Sequence, residues 1–175
     1  MTVTRMLVVF STVVLAGCSS GSNHAGTTST STSTSASTTN GEQLTAQSLE
    51  RSARAALDAN HKLSVFVLWS NRIPAWASRS TGGPALAALR SAAATRRTRG
   101  VRARLLSDRR RVLSFRLDPS YTKATAVIVD RQRVQPSGRN GRPLGRAVVL
   151  NERATYDLRR VGQSGRFVVW RVVLR

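Results

Sequence analysis

The side chains able to do chemistry are few, and their spacing excludes more than it suggests. Cys18 is the only cysteine, and His24 and His61 are the only histidines. A structural zinc site takes about four Cys or His ligands and a disulfide takes two cysteines, so the chain can build neither a Cys/His metal cluster nor an internal disulfide. No metal or other cofactor is expected. Gly138, Gly141 and Gly145 lack the dinucleotide-binding spacing and lie in a polar stretch, not between a strand and a helix. Thr81-Gly82-Gly83 precedes a helix and either offers its amides to an anion or merely caps the helix. Arg109-Arg110-Arg111 follows turn-forming residues and reads as an anion contact or as a solvated hairpin tip. Trp69 and Trp76 suit a pocket mouth, a lipid interface, or packing under helices.

Charge narrows the class of partner. The chain carries 28 Lys and Arg against 8 Asp and Glu, a formal +20, and only Lys62 and Lys123 are lysines. Such an excess attracts polyanions: phospholipid head groups, teichoic-type polymers or nucleic acid. The same excess also arises where arginine codons are common and the surface is simply solvated. The arginines are spread over every segment, which argues against a specific nucleic-acid reader, since such a reader concentrates them on one helix or stripe.

Residues 1–17 have the layout of a secretory signal, with Arg5 near the start and MLVVFSTVVLAG as the apolar core. About 12 apolar residues fall short of the roughly 20 that cross a bilayer as a helix. The run ends in Leu15-Ala16-Gly17-Cys18, which resembles the lipobox of bacterial lipoproteins. That resemblance implies alkylation of the Cys18 sulfur by a diacylglycerol, cleavage before Cys18, acylation of its new amino group, and an extracytoplasmic location on the outer face of the cell membrane. Two or more acyl chains anchor stably, each buried CH₂ contributing about 0.8 kcal/mol. An ordinary signal peptide with a fortuitous cysteine is the alternative. Residues 18–41 follow as a Ser/Thr-rich tether, too polar and uncharged to offset the chain entropy of folding. As a coil of about 22 residues, 19–40 would span roughly 25 Å.

Residues 42–175 must supply the fold. A helix is expected over 43–60, with Thr45 as its cap and Leu49, Ala53, Ala56 and Leu57 on one face. LSVFVLWSNRIPAWA, broken by Pro74, reads as an irregular or short helical connection packed by Phe66, Trp69 and Trp76. A second helix begins at Pro84 and stops before Gly100, with Leu86, Leu89 and Ala93 as its stripe. The period then becomes two. Strands are expected over 101–105, 112–117, 124–129, 147–160 and 167–174, with turns at Ser107-Asp108 and 162–165 and a loop over 136–145. Helices followed by antiparallel strands make an α+β order: two or three helices packed on one face of a curved sheet of four to six strands.

This order, closing in ATYDLRRVGQSGRFVVWRVVLR, is similar to the NTF2-like (cystatin-like cone) domains, especially small ones behind lipoprotein or transmembrane anchors in actinobacteria, including Mce-associated proteins. A cystatin-like or other sheet-on-helix fold is the rival. The resemblance covers about 44–175 and implies, for an enzyme, an acid/base carboxylate or His with a Tyr or Asp donor inside the cone. Asp118, Tyr121, Asp130, Tyr156 and Asp157 are the residues that fit that role. LDPSY around Asp118 is turn chemistry, Asp130 is expected to end a strand, and Asp157 is expected to face water beside arginines. The expected function is therefore a surface-anchored, non-enzymatic binding or assembly module for an anionic or protein partner. The alternative is an NTF2-like enzyme or carrier for a small apolar ligand.

Overall fold

The computed structural model describes residues 45–175. The signal segment, Cys18, the tether and the expected helix start at 43–44 lie outside the described residues. Helix α1 spans Ala46–Ser70, and α2 spans Gly83–Thr98 after a short 3-10 turn at Ala75–Arg79. Strands β1 (Val101–Leu117), β2 (Lys123–Gly138), β3 (Val148–Val161) and β4 (Arg166–Leu174) form an antiparallel meander in the order β1-β2-β3-β4. The protein is thus α+β, two helices on a four-stranded antiparallel sheet.

Helix α1 begins where the sequence places its cap: the Thr45 hydroxyl accepts from Ser48 N–H at 3.1 Å. It does not stop at residue 60. Through Asn60, Leu63 and Val67 extend the stripe of Leu49, Ala53, Ala56 and Leu57 at spacings of three and four, and all seven are buried. The expected irregular connection over 63–77 is therefore mostly helix, because burial along a continuous face outweighs the modest helix cost of its β-branched residues. Asn71 ends the helix in the left-handed region (φ 54°), its N–H donating to Val67 O. Its side-chain amide donates to Val101 O at 2.7 Å, and Arg96 Nε donates to its Oδ1 at 3.0 Å, tying α1, α2 and β1 together.

The sheet is the second correction. No turn forms at Ser107-Asp108; the stretch 101–117 is one strand paired with β2 along its length. Leu106 and Leu113 are extra residues at two register shifts, so each is a bulge that bends the strand without ending it. Strand β2 likewise runs on through Pro136-Ser137-Gly138, where the residue types favour a loop. Helix α1 packs against both β1 and β4, the two edges of the meander, which requires the sheet to curl around it.

The inner face of that curl is apolar at one end. Ala124, Ala126, Ile128, Leu158, Phe167 and Val169 pack beneath Leu49, Ala53, Ala56 and Leu57. The small residues of β2 let α1 approach closely, and burying side chains the size of Leu158 and Phe167 contributes about 2–3 kcal/mol each. A second cluster, Leu63, Val67, Ala77, Leu86 and Ala93, joins α1 to α2. The edge of β4 is covered in part: Gly82 N–H donates to Val169 O and Val169 N–H donates to Ser80 O, both at 2.8 Å.

Candidate functional site

Toward the middle of the curl the inner face changes from apolar to charged. Arg110, Asp130 and Glu152 lie directly opposite one another on β1, β2 and β3. They continue the inward parity of Ala126 and Ile128 on β2 and of Ala154, Tyr156 and Leu158 on β3. Asp108 precedes Arg110 by two on β1, and α1 closes over the row with Asp58 and His61.

The contacts are partial. His61 Nε2 stands 2.7 Å from Asp108 Oδ2. Arg110 Nη1 donates to Leu57 O at 3.3 Å and lies 3.5 Å from Asp58 Oδ1. Arg110 Nε is 3.7 Å from Asp130 Oδ1, close enough for charge attraction but too long for a hydrogen bond. Asp130 is only 7 % exposed, and its Oδ1 has no hydrogen-bond partner, nor do Arg110 Nε and Nη2 or Asp108 Oδ1. The Arg110 guanidinium also lies 5.7 Å from the centre of the Tyr156 ring.

Electrostatics follow from this crowding. Burial pushes the Asp130 carboxyl above the usual carboxylate range, with Asp108 adding to the rise and Arg110 and His61 opposing it. Burial and the neighbouring Asp130 raise Glu152 as well. The Tyr156 phenol is pushed up to about 12, chiefly by burial and then by Asp130. Two carboxyls facing each other across adjacent strands, both holding protons more tightly than usual, can accept or share a proton. No group of three or more His, Cys, Asp and Glu among the described residues is arranged to hold a metal ion.

The other residues singled out from sequence disperse. Asp118 is half-buried in a turn, where the Ser120 hydroxyl and the Lys123 and Thr122 amides hold its carboxyl below the usual range. Tyr121 occupies the same turn, left-handed (φ 56°) and exposed. Asp130 is in the middle of a strand, not at its end, because β2 extends eight residues further. Asp157 pairs with Arg171 Nε at 2.7 Å beside the outer arginines, as expected. Trp69 and Trp76 do not pack under the helices; they are 47 % and 39 % exposed, near Phe66. The helix start at Gly82-Gly83 is covered by Trp170: a Cβ on Gly83 would fall 2.6 Å from its ring, and Gly83 also has φ +46°. Gly138, Gly141 and Gly145 lie at the end of β2 and in the turn to β3. Arg110 turns inward while Arg109 and Arg111 turn outward, so the three are not a hairpin tip.

His61, Asp108 and Glu152 are the members that sequence reading missed. Extending the alternation of Ala154, Tyr156 and Leu158 back by two finds Glu152. Asp108 and His61 had no such signal, since a bulge and a helix extension bring them together.

The outer face of the sheet is the reverse of the inner one. Arg109 lies opposite Arg131, Arg133 opposite Val149, and Val129 between Arg111 and Arg153. All five arginines are exposed. Near them, among the described residues, no ion pair to a carboxylate forms; the nearest outward acid along β3, Asp157, is taken by Arg171.

No family model matches the chain, and no curated protein matches it. Among solved structures, it is similar to the crystal structure of the intermembrane space region of the chloroplast protein ARC6. The identity is 13 %, the TM-score 0.58, and the match covers 71 % of this chain and 95 % of that one. At that identity the likeness is one of fold alone.

Proposed function

We propose that this protein is an envelope lipoprotein, anchored through Cys18 and held off the membrane by the Ser/Thr tether, whose NTF2-like domain is a non-enzymatic binding module for an anionic partner. The carrying observation is the sorting of charge by face. Asp108, Asp130 and Glu152 are turned toward α1 around Arg110, while Arg109, Arg111, Arg131, Arg133 and Arg153 share the outer face of three adjacent strands. Two surface grooves among the described residues are lined at the other end of α1 by Phe66, Trp69 and their neighbours, none of them in the charged row.

Binding to polyphosphate or a teichoic-type polymer should weaken steeply as salt rises, with a slope set by the number of arginines engaged. Salt-independent or absent binding would sink this reading. Cys18→Ala should release the chain from membrane fractions, and its retention there counts against the lipid anchor.

A second reading, an enzyme or carrier on the same fold, draws on the unpartnered Asp130 Oδ1 beside Glu152, Tyr156 and the His61–Asp108 contact. Uptake of a small apolar fluorophore by the native chain, abolished by Asp130→Asn, would favour it over the binding module.

A further inference from the structure

A second surface lies where the last turns of α1 meet the start of β1, whose Arg102 and Arg104 share the outward parity of Arg109 and Arg111 at the far end of the same strand. Phe66 and Trp69 are 42 % and 47 % exposed and line two adjoining grooves. The larger, about 430 Å³, is completed by Val65, Leu105 and Arg104, and the smaller by Arg72 and Arg102. Trp76, 39 % exposed, stands 6.2 Å from Phe66 between ring centres. Three large aromatic side chains thus share one surface, rimmed by arginines for which no carboxylate partner stands among the described residues.

We propose that this face is a docking site for the anionic phospholipid surface of a bilayer, with Phe66, Trp69 and Trp76 entering the head-group layer and Arg72, Arg102 and Arg104 meeting lipid phosphates. The face is complementary to such a surface in two ways at once. A soluble polyanion satisfies arginines but gives aromatic rings nothing apolar to enter. An anionic bilayer offers phosphate and an apolar boundary within one surface, and Trp rings favour that boundary. Arginine side chains lay their stems along apolar surface while the guanidinium reaches phosphate. No helix among the described residues is long and apolar enough to cross a membrane, so the contact is one of surface seating. The inference is strengthened by, and in part rests on, the anchored reading above, since a tether spanning roughly 25 Å keeps the domain at high local concentration near the bilayer. In this arrangement the aromatic groove and the start of β1 take the lipid, and the outer face around Arg131, Arg133 and Arg153 stays open for the partner.

The test uses the three native tryptophans, with Trp170, stacked under Arg159 and against Gly83, as the internal reference. The full-length Cys18→Ala chain, which cannot be acylated, is titrated with vesicles of brominated phosphatidylglycerol and phosphatidylcholine in equal parts. Trp69 and Trp76 fluorescence should be quenched, and not by brominated phosphatidylcholine alone. Trp69→Phe with Trp76→Phe, a mild change at exposed positions, should remove the quenching. Reversing Arg72, Arg102 and Arg104 to Glu should raise the lipid concentration needed by on the order of a hundredfold, at least about fivefold for each arginine. Arg131→Glu with Arg153→Glu should leave the quenching in place while weakening polyphosphate binding.

Absent quenching overturns the proposal, as does quenching that survives loss of both tryptophans or disappears equally with the outer-face reversals. A dimer that Trp69→Ser dissolves, without quenching, gives the face to a second copy and overturns it too. If polyphosphate binding persists while quenching fails, only this inference falls; if both fail, the binding-module reading falls with it.

Discussion

Three consecutive arginines show how one residue type takes two roles within a single strand. Arg109 and Arg111 point away from α1, exposed, beside Arg131 and Val129. Arg110 points the other way, its side chain 14 % exposed, between Asp58, Asp130 and Leu57 O. Outside, charge is solvated and free to meet a partner. Inside, charge is required by what has already been buried, because Asp130 without a cation would be a carboxylate in an apolar setting. The pleat alone makes the difference, by reversing the side chain at every residue.

That contrast can be broken most severely at Arg110. Arg110→Met should destabilise the fold by about 3 kcal/mol in urea unfolding, as expected when one member of a buried charge pair is lost. Adding Asp130→Leu should recover much of the loss, since the two side chains are coupled. A single variant as stable as wild type would show that the inner row is not held by its charges.

Acid sharpens the comparison with a smaller effect. Burial and Asp130 raise the folded-state Glu152 carboxyl above its usual range, so the folded chain binds its proton more tightly than the unfolded one. Glu152 therefore contributes most below the ordinary carboxylate range, near pH 4, and that contribution is lost as pH rises through the raised value. Glu152→Gln should be more stable than wild type at pH 7, and its advantage should fade as pH falls toward 4. Urea midpoints that differ equally at both pH values would contradict the assignment. Asp118, lowered by its hydrogen bonds, has the opposite sign and loses stability on acidification, so only the difference between variant and wild type isolates Glu152.

The smallest effect on the fold belongs to the outer pair. Arg109→Ala and Arg111→Ala should each change stability by no more than about 0.5 kcal/mol. Each should lower the slope of log binding constant against log salt for a polyanion by about one. Unchanged slopes would move the partner site elsewhere.

Much of the framework was legible in the residues. The Thr45 cap, the helical stripes ending at Leu57 and Ala93, the Pro84 start of α2 and the closing hairpin at 162–165 all follow local rules that need no distant partner. What local rules misread were places where a long-range contact overrode them. Ser107-Asp108 has turn chemistry, but pairing with β2 on both sides absorbs it into a bulged strand. LSVFVLWS has β-branched and aromatic character, yet Leu63 and Val67 gain more by facing the core on a helix.

The candidate site divides along the same line. Composition and spacing by themselves determined the α+β order, the lack of cysteines for a metal or disulfide framework, the excess of arginine, and the alternation that puts Ala124, Ala126 and Ile128 on one face and Tyr156 with Leu158 on another. Only the tertiary structure decided that His61, on a helix, meets Asp108, on a strand, and that Arg110, Asp130 and Glu152 form one row. Register between strands and the reach of α1 across both sheet edges are set by how buried surfaces fit together. That sum runs over the whole domain and appears in no short stretch of chain.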